Sequence, residues 1–316
     1  MHLQTHHQEA LRSSEPPARP GKPLELVEGS SIGRFRIGTE IGRGGYAAVY
    51  RAFDPWLERH VAVKVTMRSK PTSRRKVVWS EARALACVNH PHVVTLFDMV
   101  QEREREVLVM ELVDGASLSE LSRHSALDSS TVAALGVQLA DGLEAIHAAG
   151  LVHGDIKPAN LRLTTDGVLK ILDLGVAVVA GGTTGDSRAP RSLAGTVSYM
   201  SPERLQGTGG DARGDIWSAG AVLFELATGR RAVDTLTSSS LVRFVCQGIF
   251  PERWHLASKM ATPLADVIER AMAPNPDARF QSARELGEAL ERVAVDAEAC
   301  AHHAQNVKAT RTELMH

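Results

Sequence analysis

The sequence predicts an α+β protein in two lobes, a small antiparallel β-sheet carrying one main helix and then a larger, mostly helical part. Two textures predict this. Residues 33–111 alternate apolar and polar side chains with a period of two, and from 117 onward apolar residues recur at spacings of three and four. The length agrees: 316 residues leave room for two domains or one large bilobed domain.

The elements follow in order. Residues 1–32 show no periodicity, and Pro16, Pro17, Pro20 and Pro23 would break any regular element, so this stretch is read as a disordered tail with solvated histidines. The first lobe spans 33–113. Phe35, Ile37 and Ile41 are expected on one side of a strand, with Arg36, Gly38 and Glu40 between or opposite them. Val61, Val63 and Val65 repeat the pattern, and the runs 93–100 and 106–112 are short and β-branched. One helix is expected around 74–88, ending before Pro91. The second lobe spans 114–294. Val132, Leu135, Leu139, Leu143 and Ile146 form the stripe of an amphipathic helix, with Gly150 where a C-cap glycine belongs. Further helices are expected at 216–228, stopped by Gly229, and at 282–293. Residues 295–316 are read as a C-terminal tail.

Composition excludes several classes. Thirty-six Lys+Arg against 37 Asp+Glu give a net charge of -1, too little positive charge for a general nucleic-acid or anionic-membrane binder. Cys87, Cys246 and Cys300 are too few and scattered for a disulfide framework or a CxxC metal site, and are read as reduced thiols. No charge-free stretch approaches the roughly 18 apolar residues of a spanning helix, and the polar N-terminus lacks a signal-peptide core. A cytoplasmic location is the expectation.

Three segments carry chemistry. In Ile41-Gly42-Arg43-Gly44-Gly45-Tyr46-Ala47-Ala48-Val49-Tyr50, strand runs into glycines and then into strand. Glycines let backbone N–H groups approach a phosphate closely, although an ordinary hairpin has the same pattern. No Gly-Lys-Ser/Thr follows, which excludes a Walker loop. In Val61-Ala62-Val63-Lys64-Val65 a lysine interrupts an apolar strand; it either snorkels to solvent or pairs with a carboxylate such as Glu81. The third segment is Leu151-Val152-His153-Gly154-Asp155-Ile156-Lys157-Pro158-Ala159-Asn160, followed by Leu169-Lys170-Ile171-Leu172-Asp173-Leu174-Gly175. Asp and Asn oxygens on two tight loops suit a hard cation such as Mg²⁺, and a remaining Asp can accept a proton from a hydroxyl. Capping roles explain any one of these residues but not the ordered set.

Together these motifs resemble the bacterial eukaryotic-like (Hanks-type) serine/threonine protein kinases, over about residues 33–294. The order is the family's: glycine loop, Ala-Val-Lys, helix Glu, His-x-Asp-x-Lys-x-x-Asn, Asp-Leu-Gly, Ser-Pro-Glu, Asp-Ile-Trp-Ser-x-Gly. The resemblance implies ATP and Mg²⁺ as cofactors. Ile41, Gly42, Gly44, Gly45, Val49 and Ala62 would surround the nucleotide, and Lys64 would hold its α- and β-phosphates and pair with Glu81. Asp155 would be the base, Lys157 would steady the γ-phosphate, and Asn160 and Asp173 would hold Mg²⁺. Met110 would guard the back of the adenine pocket, with Glu111, Leu112 and Val113 at the hinge. Thr196 would bridge Asp155 and Lys157, Asp215 would anchor the catalytic loop, and Glu203 would pair with Arg279.

The sequence departs from the family at several positions. Ala47 replaces the third glycine of the loop, and Leu174 replaces the commoner Phe. Arg162 stands where an apolar residue floors the adenine, its stem serving as floor and its head reaching water. Gly154 replaces the frequent Arg. With Gly154, Val178 and Val77 at the three phosphate-holding basic positions, activity is expected not to require activation-loop phosphorylation. Ser117 and Ala159 leave no carboxylate for upstream substrate arginines. The leading reading is a Ser/Thr protein kinase, with a pseudokinase scaffold and a small-molecule phosphotransferase as alternatives. The expected partners are protein substrates and a sensor or adaptor protein, with no nucleic acid and no membrane span.

Overall fold

The computed structural model describes residues 26–44, 47–66, 82–83, 85–102, 105–123, 125–173, 178–179, 197–232 and 262–295. Gly45, Glu81, Leu174 and Thr196 lie outside the described residues, as do most of the helix expected at 74–88 and most of both tails. The chain divides into two compact units. One reaches to Lys70 and takes in Val100–Leu108; the other comprises Pro71–Met99 and the chain from Val109.

A six-stranded sheet has the order β1-β2-β3-β4-β6-β5. Its strands are β1 (Ser31–Ile32), β2 (Phe35–Arg43), β3 (Ala47–Asp54), β4 (Arg59–Thr66), β5 (Leu96–Glu102) and β6 (Arg105–Glu111). β2, β3 and β4 pair antiparallel in sequence order. Alternation sorts the side chains by face. Val61, Val63 and Val65 are buried, with their cross-strand partners Ala52, Tyr50 and Ala48 and with Phe35 and Ile37 of β2. The intervening residues Val49, Ala62 and Lys64 take the other face, and Val49 pairs directly with both Lys64 and Gly42.

Ile41 corrects the sequence reading. It is 47% exposed, whereas Phe35 and Ile37 are buried. The β2–β3 register shifts twice, between Ile37 and Glu40 and between Glu40 and Gly42. Each irregularity offsets a period-two pattern, so Ile41 leaves the face shared by Phe35 and Ile37.

In the second unit, the helix Ser129–Ala148 is started by Asp128, whose carboxylate accepts from the Thr131 backbone N–H at 3.0 Å. Ser130 and Thr131 also donate to it and hold its pKa well below the usual carboxylate range. Val132, Leu135, Leu139, Leu143 and Ile146 are all buried, as the spacing predicts. The helix stops at Ala149, and Gly150 follows with φ 74° in the left-handed conformation that ends helices. Against it packs Ala212–Thr228, which begins four residues earlier than expected because Asp211 caps it, and which ends at Gly229 with φ 69°. Most of this helix is buried, Trp217 included. Helices at Thr262–Ala271 and at 283–295 complete the core.

Residues 93–95 were expected to open a strand, yet β5 begins at Leu96. Val93 instead bridges Ile171, and the Ile171 N–H donates to the His92 carbonyl at 2.8 Å.

One ion pair ties distant parts of this unit together. Arg279, fully buried, donates to Glu203 through both terminal nitrogens, at 2.9 and 2.8 Å. It also donates to the carbonyls of Ala273, Arg213 and Pro274, and lies 5.0 Å over the Trp217 ring. Breaking such a pair strands a desolvated charge, so Glu203→Ala is expected to cost about 3 kcal/mol. Urea unfolding checks this: the midpoint should fall without a change in slope, and a loss under about 1 kcal/mol would contradict the account.

Candidate active site

The second unit assembles its polar cluster on a hairpin and the loop before it. After β7 (Gly115–Ser117), β8 (Leu151–Val152) leads into the loop 153–157, a 3₁₀ turn at Pro158–Asn160, then β9 (Leu161–Thr164), which pairs with β7, and β10 (Leu169–Ile171). The turn between β9 and β10 closes through Gly167, at φ 79°. The register pairs Leu161 with Ile171. That register sets Asn160 opposite Leu172, whose N–H donates to the Asn160 carbonyl at 2.8 Å. Asp173 follows immediately, so strand pairing alone brings the Asn of one loop beside the Asp of the next. Asp173 has φ 63°, in the left-handed region that few non-glycine residues adopt and that Asp and Asn tolerate best.

Asp155 is held on several sides. Its Oδ2 accepts from Lys157 Nζ at 2.7 Å and from Asn160 Nδ2 at 2.9 Å. Asn160 Nδ2 also donates to the Asp155 carbonyl at 2.8 Å. The amide nitrogen of the buried Asn160 is thereby committed to Asp155, and Oδ1 is the atom left to offer a cation.

The loop backbone hangs from Asp215. Its carboxylate accepts the His153 N–H at 2.8 Å and the Gly154 N–H at 2.7 Å. His147 Nε2 lies 2.9 Å from the same carboxylate. Burial opposes the charge on Asp215, but the hydrogen bonds from His147 and the Gly154 N–H outweigh it and hold the carboxyl below its ordinary range. His153 is a second hub. Its Nδ1 accepts the Asp155 N–H at 3.1 Å, so Nε2 carries the proton and donates to the Leu172 carbonyl at 3.0 Å. One neutral imidazole thus links the Asp155 loop to the residue before Asp173. Burial pushes the pKa of His153 down, which favours that form.

These shifts fix a pH dependence. A histidine depressed by folding binds fewer protons in the folded chain than in the unfolded one. Its stabilisation is complete above about pH 6.5 and fades below it. Asp215 and Glu203 are also held low, so their contributions fade below about pH 4. Denaturation midpoints should therefore fall in two steps as pH drops from neutrality. A flat profile between neutrality and about pH 5 would contradict the His153 assignment.

Other expected residues fall as follows. Glu111 pairs with Lys170 at 2.8 Å, accepts the Thr95 N–H at 3.2 Å, and donates its own N–H to the Thr95 carbonyl. Met110 and Val113 are half-buried against the core. In the first unit, Val49, Ala62 and Lys64 share the face described above. A side chain at Gly42 would meet nothing within 4 Å, so packing does not require glycine there. Gly44 donates its N–H to the Ala47 carbonyl at 2.8 Å.

Arg162 is half-buried, and its head holds backbone: Nε and Nη2 both donate to the Gly115 carbonyl, at 3.0 and 2.7 Å. Gly115, at φ 143°, packs so closely on β9 that a Cβ there would lie 2.1 Å from the Leu163 carbonyl oxygen, so only glycine fits. Sequence reasoning also missed His147 and Lys170. A polar His147 one turn past Leu143 on a buried stripe was the available signal for the first.

Comparison with known proteins adds to this geometry. The chain is 36% identical over 280 residues to a probable serine/threonine-protein kinase of Streptomyces coelicolor, covering 85% of this chain and 40% of that protein. It is 33% identical over 264 residues to a probable serine/threonine-protein kinase of Clostridium acetobutylicum, covering 82% and 40%. With the serine/threonine-protein kinase PknK of Mycobacterium tuberculosis it shares 35% over 281 residues, covering 87% and 24%. The chain thus spans less than half the length of these relatives. Residues 35–290 match the protein kinase domain, and the chain belongs to that family.

Proposed function

We propose that the chain transfers the γ-phosphoryl group of ATP to serine or threonine hydroxyls of proteins. The observation that carries this is Asp155: its carboxylate is aimed by Lys157 and Asn160 while its backbone is fixed through His153 and Gly154 to Asp215. A carboxylate so placed can take a proton from a hydroxyl brought beside it. In the step, the substrate hydroxyl oxygen bonds to Pγ and its proton passes to Asp155. The bond from Pγ to the β,γ-bridging oxygen breaks, and ADP leaves with that electron pair.

Each residue group serves the nucleotide in its own unit. Lys64 neutralises the α- and β-phosphates, flanked by Gly42, Gly44, Gly45, Val49 and Ala62, with Ile41 at the rim. Lys157 steadies the γ-phosphate, and Thr196 links Asp155 to Lys157. The backbone of Glu111 and Val113 binds the adenine, with Met110 behind it. Asn160 Oδ1 and Asp173 would hold Mg²⁺, which would supply charge neutralisation at the phosphates. ADP release that accelerates on adding protein substrate supports the reading; ATP binding without such release contradicts it.

We further infer that activation-loop phosphorylation is not required, because Gly154 cannot carry the charge that would hold a phosphate. Replacing Thr183, Thr184, Ser187 and Ser192 together by Ala should leave initial rates within about twofold. A drop of about tenfold or more, near 1.4 kcal/mol, with the fold intact would refute this.

A further inference from the structure

We propose that Arg204 is a positioning residue for phosphoryl transfer, its guanidinium gripping the Gly154 carbonyl and so fixing the peptide that carries Asp155. The proposal rests on the kinase reading above.

Arg204 lies on the short helix Pro202–Leu205, where its neighbour Glu203 is clamped by the buried Arg279. Its Nη1 donates to the Gly154 carbonyl. Two glycines open its path. A Cβ at Gly210 would stand 3.1 Å from Arg204 Cγ, and one at Gly154 would stand 2.8 Å from Nη1 and 3.3 Å from Cζ. The stem therefore passes over Gly210, and the head occupies space that a side chain at position 154 would enter.

The consequence falls on one peptide group. The peptide between Gly154 and Asp155 has its N–H bound by His153 Nδ1 and its carbonyl bound by Arg204. The Gly154 N–H is bound by Asp215. Gly154 sits at φ 72° and, lacking Cβ, has more conformational freedom than any other residue type. Without Arg204 the carbonyl side of that peptide loses its holder at the most permissive residue of the loop. Asp155 then samples orientations away from the hydroxyl it must deprotonate, and small misplacement of a catalytic group is costly in rate. The order of the loop is thereby supplied by the helix after Ser201.

The test compares the full chain with Arg204→Ala and Arg204→Lys. Three quantities are read: kcat and KM for ATP, thermal midpoint, and amide exchange at 153–157. Arg204→Ala should lower kcat about tenfold with KM for ATP within about twofold. It should also speed exchange at 153–157 by about tenfold. Arg204→Lys, whose ammonium can reach the same carbonyl, should recover at least about a third of the lost kcat. An Ala variant with kcat within about twofold, or with unchanged exchange at 153–157, overturns the proposal. So does a Lys variant no better than Ala, or the failure of both to fold, since Arg204 then serves stability alone. A parent chain without turnover would defeat the kinase reading instead, while the exchange data still decide whether Arg204 holds the loop.

Discussion

Asp155→Asn should lower kcat by about a thousandfold while leaving the thermal midpoint nearly unchanged, since a positioned general base contributes about 10²–10⁴-fold. The substitution is close to isosteric. An amide oxygen can still accept from Lys157 and Asn160, which now reach the carboxylate at 2.7 and 2.9 Å. The backbone bonds from His153 and Asp215 are untouched. What is lost is the capacity to take a proton, so any rate deficit in a folded variant reports that capacity. Initial rates on a protein substrate, alongside a melting curve, measure both. Retention of more than about a tenth of the parent rate would show that Asp155 is not the base.

Lys64→Met should reduce turnover by about 10²–10³-fold, the usual cost of removing one preorganised charge from a transition state. Lys64 lies in the middle of β4 opposite Val49, on the face turned away from Val61, Val63 and Val65. Methionine follows the lysine stem and is an adaptable filler, so the sheet should keep its stability. The expected result is a folded protein with little transfer. Near-parental rates would remove Lys64 from the nucleotide site.

Much of this was legible because it is written locally. The stripe from Val132 to Ile146 and the alternation of Val61, Val63 and Val65 depend only on period, and each is buried as read. The pairing of Glu203 with Arg279 came from resemblance, not from spacing, since 76 residues separate them. Ile41 was misread because a bulge is invisible to a period-two count. The Val93 bridge to Ile171 was missed because a β-branched run does not say which partner it will find. Arg204 was overlooked because it is placed by glycines elsewhere in the chain, Gly154 and Gly210. Removing a side chain makes room for a distant one, and that room exists only after folding.

The most direct measurement follows the phosphoryl group itself. The full chain is incubated with γ-labelled ATP, Mg²⁺ and a mixed protein substrate, with Asp155→Asn in parallel, and the labelled protein is hydrolysed to amino acids. The account predicts label in phosphoserine and phosphothreonine from the parent, and almost none from Asp155→Asn. Label in phosphotyrosine alone, or ATP bound without any label reaching protein, would contradict it.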